Sequence, residues 1–371
     1  MRSKEVIEIA ARIIDNRMQL DHLSRLYGTV IFRQDRDKIS EDEIQQIQSA
    51  LLSNGILSQV QTTSHDVLLR LLVEYSKVKG ENRKINLLLF IVTFITTTLT
   101  GAMLGGYNPF MSLGEFAAGL PYSFALMTIL GAHEMGHYLY ARKYKIYATL
   151  PYFIPFFIPA FNLGTFGAFI RMKSPIPHKR ALFDVGIAGP IAGFIMSLFF
   201  LILGFSLLPD PEGVRNFIAP RIHEWSENGE GALTLGGSLL FDMIRWIMSG
   251  EHLPMYEIYH FPFIFAGWIG LLVTALNLMP IGQLDGGHIS YALLGKKARI
   301  VAIIAFICLA MLNFYSTNWI LWTILILLVV RLKHPPTIND RIELDRPRKI
   351  LAWISYIVFI TCFSPMPIYF P

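Results

Sequence analysis

His133, Glu134 and His137 fall within one pentapeptide, His133-Glu134-Met135-Gly136-His137, at the end of a stretch from Phe116 to Ala132 that holds no charged residue. Residues four apart on a helix share a face, so both imidazoles can reach one metal ion while the Glu134 carboxylate stands beside it. The chemistry this set supports is hydrolysis: two neutral imidazoles bind zinc, and a carboxylate acts as general base toward water. Without a metal, the pattern would leave ionisable groups in an apolar helix, where each is costly unless partnered. Because the imidazoles must be neutral to bind metal, activity is expected to fall at acid pH.

A hydrolytic zinc takes three protein ligands and keeps one position open. Asp285 is the candidate third ligand, within Asn277-Leu278-Met279-Pro280-Ile281-Gly282-Gln283-Leu284-Asp285-Gly286-Gly287-His288. Pro280, Gly282, Gly286 and Gly287 predict a broken helix, and unwound backbone at membrane depth is tolerated only where it is buried or lines a cavity. The plain alternative for Asp285 is a turn residue before Gly-Gly, and His288 is a rival ligand. Asn277 suits either an interhelical hydrogen bond or donation to a reacting carbonyl.

The elements that must position these residues are those of a polytopic membrane protein: 53% of the chain is hydrophobic and 16% charged. Seven apolar segments, near 85–105, 119–141, 184–208, 261–282, 299–315, 317–331 and 349–366, predict about six to seven transmembrane helices, some short for a ~30 Å hydrocarbon core. Charge orients them. The turn 106–118 has no Lys or Arg, whereas Arg142, Lys143, Lys145, Arg171, Lys173, Lys179 and Arg180 follow the next segment and mark the cytosolic side. The acidic 209–260 loop is placed outside, Lys296, Lys297 and Arg299 return inside, and the carboxyl terminus is expected outside. Glu134 precedes Arg142 by eight residues, about 12 Å of helix, which sets the site below the cytosolic membrane surface. No cleavable signal is read at the amino terminus, which is expected to stay cytosolic. The net charge of +5 is explained by residues flanking the spans and implies no nucleic-acid partner. Cys308 and Cys362 lie in apolar stretches and suggest no disulfide framework.

Residues 1–84 differ, with thirteen Lys/Arg against twelve Asp/Glu, and predict a small soluble α/β domain ahead of a membrane domain over 85–371. Tyr27 to Arg33 reads as a strand, Ser40 with Glu43 as a capping box opening a helix that ends at Asn54-Gly55, and Ile56 to Thr62 as a second strand. Ser64 and Asp66 then open an apolar helix through Val67, Leu68, Leu69, Leu71, Leu72 and Val73 that closes near Lys77. In the membrane domain, Pro151, Pro155 and Pro159 rule out a regular spanning helix, and Gly164 and Gly167 bracket β-favouring residues, which predicts a re-entrant hairpin over 148–173. Such a hairpin either pairs with an unwound substrate strand or only shields the site from lipid. Asp184-Val185-Gly186-Ile187-Ala188-Gly189-Pro190-Ile191-Ala192-Gly193 puts small residues at helix-contact spacing, so close packing on the His133–His137 helix is expected. Asp184 is expected near the site or near a basic neighbour.

With these motifs in view, the chain resembles the site-2 protease family of intramembrane zinc metalloproteases, in its compact form without a PDZ domain. The resemblance rests on His133-Glu134-Met135-Gly136-His137, on Asn277 to Gly287 with Leu284-Asp285-Gly286, and on Gly164-Thr165-Phe166-Gly167-Ala168-Phe169-Ile170, which is similar to the family's membrane-dipping β segment. It covers about residues 85 to 330. It implies one Zn2+ per chain held by His133, His137 and Asp285, with Glu134 as base and Asn277 as a candidate oxyanion donor. It also implies regulated proteolysis of a membrane protein with a single transmembrane segment, in a cell inner membrane. A membrane zinc transporter or metal-binding protein is the alternative of another class; it would use the same ligand types without needing Glu134 as a base. A catalytically silent homologue would lack a ligand or the base, and a prenyl-protein protease would place its third ligand elsewhere than a Leu-Asp-Gly.

Overall fold

The apolar segments form helices. This computed structural model describes residues 3–20, 30–56, 58–62, 65–71, 83–158, 163–173, 176–214, 216, 234–249, 253–337 and 340–369. Three helices are long and apolar enough to cross a membrane: Arg83–Leu104 (α3), the stretch Leu113–Lys143, and Lys179–Ser206 (α6). Within the second, a short turn Leu113–Ala117 (α4), capped by Ser112, precedes the long helix Leu120–Lys143 (α5), whose last turn carries Arg142 and Lys143. The other expected spans are shorter helices: Pro262–Leu278 (α8), Ala298–Leu312 (α10), Asn318–Leu325 (α11) continued by a π turn over Ile326–Val330, and Arg346–Cys362 (α12). Leu239–Ser249 (α7) lies in the 209–260 connection, and Asp285–Leu294 (α9) follows the break after α8. Tyr122, Leu126, Ile129, Phe200, Phe265 and Ile269 form one buried core in which α5, α6 and α8 meet.

Ahead of α3, residues between Val6 and Leu71 form a tile with a buried cluster of their own. Ser3–Ile14 (α1) buries Val6, Ala10 and Ile14, a four-residue spacing on one face. Strands Gln19–Leu20 (β1), Val30–Asp35 (β2), Ser58–Thr62 (β3) and Asp66–Leu71 (β4) form an antiparallel sheet ordered β1-β2-β4-β3. Glu41–Ser53 (α2) packs Ile44, Ile47 and Leu51 into the same core. Its start is the expected capping box, with the Glu43 amide donating to Ser40 Oγ at 3.3 Å and the Ser40 amide to Glu43 Oε2 at 2.9 Å. Those bonds hold the Glu43 carboxyl below its usual range. The helix ends at Asn54, and Gly55 takes φ +73°.

The expected helix from Ser64 and Asp66 is instead strand β4 as far as Leu71. Val67, Leu69 and Leu71 are buried, and β4 pairs with β2 on one side and β3 on the other, Phe32 facing Leu69 and Val60 facing Leu69. A period of two thus governs a run whose apolar residues are too dense to show it, and a central strand satisfies the backbone of two neighbours at once. The remainder of that predicted helix, and residues 27–29 of the first predicted strand, lie outside the described residues. Leu69→Ala is therefore expected to cost about 2–5 kcal/mol and half-buried Leu68→Ala clearly less, read as protease susceptibility of this tile in the full-length chain. Equal effects would contradict the alternation.

Two short strands pair within residues 148–173. Tyr152–Pro155 (β5) pairs antiparallel with Thr165–Phe169 (β6), Tyr152 facing Phe169 and Phe153 facing Ala168, and a further bridge joins Ala148 to Met172. Polar side chains fasten this segment to the helices: Asn86 Nδ2 of α3 donates to the Leu150 and Pro151 carbonyls at 3.0 and 3.1 Å, and Thr96 Oγ1 to Gly164 O at 2.7 Å. Tyr122 of α5 donates to Leu163 O at 3.0 Å. Gly164 has φ +79° and lies so close to α3 that a Cβ would sit 2.6 Å from Thr97 Cα.

Candidate metal centre

Helix α5 places His133 and His137 one turn apart on a buried face, with the rings at 4.9 Å between centroids. Helix α8 stops at Leu278, as Pro280 dictates, and the chain turns through Gly282 at φ +53° before α9 begins at Asp285. This break aims the Asp285 carboxylate at α5. Its Oδ2 lies 3.3 Å from His133 Nε2 and 3.2 Å from His137 Nε2, and the two Nε2 atoms are 3.1 Å apart. Zinc bonds of 2.0–2.1 Å in a tetrahedron require ligand atoms about 3.3 Å from one another. The three donors already stand at that spacing, on one side of a common centre, which is the geometry of a three-ligand site with an open position.

The tautomer of His137 is fixed by its other nitrogen. Nδ1 lies 2.7 Å from the Val185 carbonyl, and a carbonyl only accepts, so Nδ1 carries the proton and Nε2 keeps its lone pair for a metal. Helix α6 comes this close because its facing residues are small. A Cβ on Gly189 would sit 2.2 Å from His137 Nε2, and one on Gly193 would sit 3.0 Å from His133 Nδ1. Glu134 is buried beside the triad, and its carboxyl lies near the backbone of Ile170, just after β6.

A family model, Peptidase family M50, matches residues 121–315, more than half of the chain and the stretch that contains every one of these groups. The chain belongs to peptidase family M50. This is the site-2 protease type of zinc metalloprotease, so the cofactor is zinc, in agreement with the donor set. Among curated proteins, the M50 chain is 30% identical over 253 residues to the "Probable zinc metalloprotease EGY1, chloroplastic" of Arabidopsis thaliana, covering 67% of this chain and 43% of that protein. It is 36% identical over 177 residues to the "Probable zinc metalloprotease EGY2, chloroplastic" of Oryza sativa subsp. indica, covering 47% of this chain and 29% of that protein. The chain thus matches less than half the length of these relatives. No solved structure matches.

The remaining residues singled out in the sequence divide between centre and surroundings. Asn277 Nδ2 is 3.3 Å from His133 Nε2, so its carboxamide borders the centre of this M50 chain. His288 turns elsewhere: its Nδ1 lies 2.6 Å from His334 Nε2, on the chain segment after α11. Burial pushes His334 down to about 4, so that ring is neutral at neutral pH. Asp184 does not enter the centre. It pairs with Arg348 of α12, Nε to Oδ1 and Nη2 to Oδ2 both at 2.7 Å, and accepts from the Tyr144 hydroxyl at the end of α5. The closeness of α6 gives a direct prediction: Gly189→Ala is expected to displace His137 and reduce bound zinc, measured as metal content of the purified protein. Full zinc occupancy in that variant would contradict the contact.

Proposed function

We propose that this M50 chain is an intramembrane zinc metalloprotease that hydrolyses a peptide bond in or near the transmembrane segment of another membrane protein. The observation that carries this reading is the tetrahedral spacing of His133, His137 and Asp285, with the Glu134 carboxylate adjacent and buried. In this proposal His133 Nε2, His137 Nε2 and Asp285 Oδ2 hold zinc, which when bound supplies Lewis acidity toward a carbonyl and toward water. Glu134 takes the proton from the attacking water and passes it to the departing amine. Asn277 donates its amide hydrogen toward the oxygen that gains charge.

The substrate strand is proposed to lie along β6. Among the described residues that strand has one strand partner, β5, and its far end leads to Ile170, whose backbone lies near the Glu134 carboxyl. An extended segment added at the other edge would have its backbone held by main-chain hydrogen bonds beside the base, whereas a helical segment hides its amides and must unwind first. The proposed substrate is a protein with one membrane span, processed in regulated intramembrane proteolysis. We place six to seven spans in a cell inner membrane, with residues 1–84 as a soluble cytosolic domain, residues 85–371 as the membrane domain, and the hairpin as re-entrant. The basic end of α5 at Arg142 and Lys143 supports that orientation.

The test is cleavage of a panel of single-span membrane segments by the detergent-purified or reconstituted protein, with and without a zinc chelator. Chelator-sensitive cleavage mapped inside or next to a span is the expected result. Zinc movement across proteoliposomes, with every segment left intact, would replace hydrolysis by transport.

A further inference from the structure

Helix α12 lies outside the residues matched by the family, yet it reaches both halves of the metal centre through polar side chains. At its amino-terminal end, Arg348 forks onto Asp184 with two bonds of 2.7 Å. The next residue, Val185, offers the carbonyl that orients His137 at 2.7 Å. Asp184 also receives the Tyr144 hydroxyl from the end of the His137 helix, and Arg348 is itself held by Asp345, which caps α12 by accepting from the Arg348 amide at 3.2 Å. Two turns further on, Tyr356 meets Ser290 Oγ at 2.8 Å, and Ser290 Oγ donates to the Gly286 carbonyl at 2.6 Å. Because Ser290 spends its proton on that carbonyl, the Tyr356 hydroxyl is the donor in the outer bond. Gly286 is the residue after Asp285.

Each clamp therefore ends one residue from a group that sets ligand geometry. Both originate on a single rigid helix, so α12 fixes the spacing between α6, which orients His137, and α9, which begins with Asp285. Apolar contacts run beside the clamps: Ala352 and Leu344 share one buried cluster with Leu182 and Phe183 of α6, Leu278 of α8, and Ile289 of α9. Packing of that kind holds helices together without fixing rotation or depth. A bidentate guanidinium–carboxylate pair and a hydrogen-bonded chain are directional and do.

We infer that Arg348 and Tyr356 are positioning residues for the metal centre, α12 acting as an external brace that holds the His137 and Asp285 halves at ligand spacing. This rests on the proposed ligand role of His133, His137 and Asp285. Outer groups that orient metal ligands typically change metal affinity by about 10- to 100-fold when altered. Arg348→Lys keeps the charge that Asp184 needs but cannot reproduce the fork. Tyr356→Phe removes one hydroxyl and leaves the ring in place.

The experiment uses the purified full chain in detergent and follows two readouts besides cleavage: zinc retained against a competing chelator, and the visible absorption of the cobalt-substituted protein. Thr361→Ala, on the far part of α12 and bonded, among the described residues, to carbonyls of its own helix, is the control. Arg348→Lys is expected to lose zinc about 10- to 100-fold more readily than wild type, and Tyr356→Phe up to about 10-fold, with altered cobalt bands and Thr361→Ala unchanged. Thermal unfolding is followed in parallel, and Tyr356→Phe decides alone if Arg348→Lys does not fold. Wild-type zinc retention and cobalt bands in the folded variants would overturn the brace while leaving the metal site intact. A wild type that takes up no zinc, or a His137→Ala variant that keeps it, would overturn the ligand reading itself, and the brace with it.

Discussion

Glu134→Gln is expected to leave the protein loaded with zinc and to lower cleavage by about 10²- to 10⁴-fold, the range that general acid–base catalysis contributes. The substitution is nearly isosteric, so the packing of α5 against its neighbours is expected to be kept. None of the three converging donor atoms belongs to Glu134, so metal content is predicted to hold. What disappears is a group that can take a proton from water and return it to an amine. The decisive comparison is zinc per chain and turnover measured on the same preparation. Turnover at the wild-type level would remove Glu134 from the mechanism, and joint loss of zinc and turnover would make it a structural or ligand residue instead.

This variant also separates hydrolysis from transport. A transporter using His133, His137 and Asp285 would have no need of a base beside its ligands, so Glu134→Gln would move zinc as well as wild type. The adjacency of a buried carboxylate to a three-donor set favours hydrolysis because burying it is costly unless it has a task or a partner. Its carboxyl also lies near the backbone of Ile170, at the end of the strand proposed to receive substrate.

The centre was legible from sequence where local periodicity carries the information. A four-residue spacing on one helix brings His133 to His137, Pro280 with Gly282 breaks the chain before Asp285, and Ser40 with Glu43 opens a helix; all three appear as read. The prolines and glycines of 148–173 likewise argued against a regular helix, and two short strands pair there. Local pattern failed at β4, where Leu68 between Val67 and Leu69 hides an alternation that only pairing with β2 and β3 reveals. It also left α1 unassigned, although Val6, Ala10 and Ile14 recur on one face. The partner of Asp184 was out of reach for a different reason. Arg348 lies 164 residues away, among several basic residues that flank a span, and the positive-inside pattern explains all of them equally. Only the packing of α12 distinguishes Arg348 from its neighbours. For the same reason His288 stood as a rival ligand, since its distance from the histidine pair depends on how α9 turns after the break.

That rivalry gives the second large prediction. Asp285→Ala is expected to lose zinc by more than the about 10- to 100-fold typical of outer-shell changes, while His288→Ala keeps it. Asp285 Oδ2 is within 3.3 Å of both imidazole nitrogens, and removing it leaves two ligands for an ion that takes four. His288 already has His334 at 2.6 Å, and its Cβ faces Gly186 of α6, so its ring serves the contact between α9 and the chain after α11. Asp285→Asn refines the test: its amide keeps an oxygen of the right size but no charge, so partial zinc retention there together with complete loss in Asp285→Ala marks a direct ligand. If His288→Ala strips the zinc and Asp285→Ala does not, the third ligand is exchanged and α9 must rotate in the metal-loaded protein. If neither does, the His133 and His137 pair binds its metal with a group from elsewhere, and Glu134, the buried carboxylate beside them, becomes the residue to test.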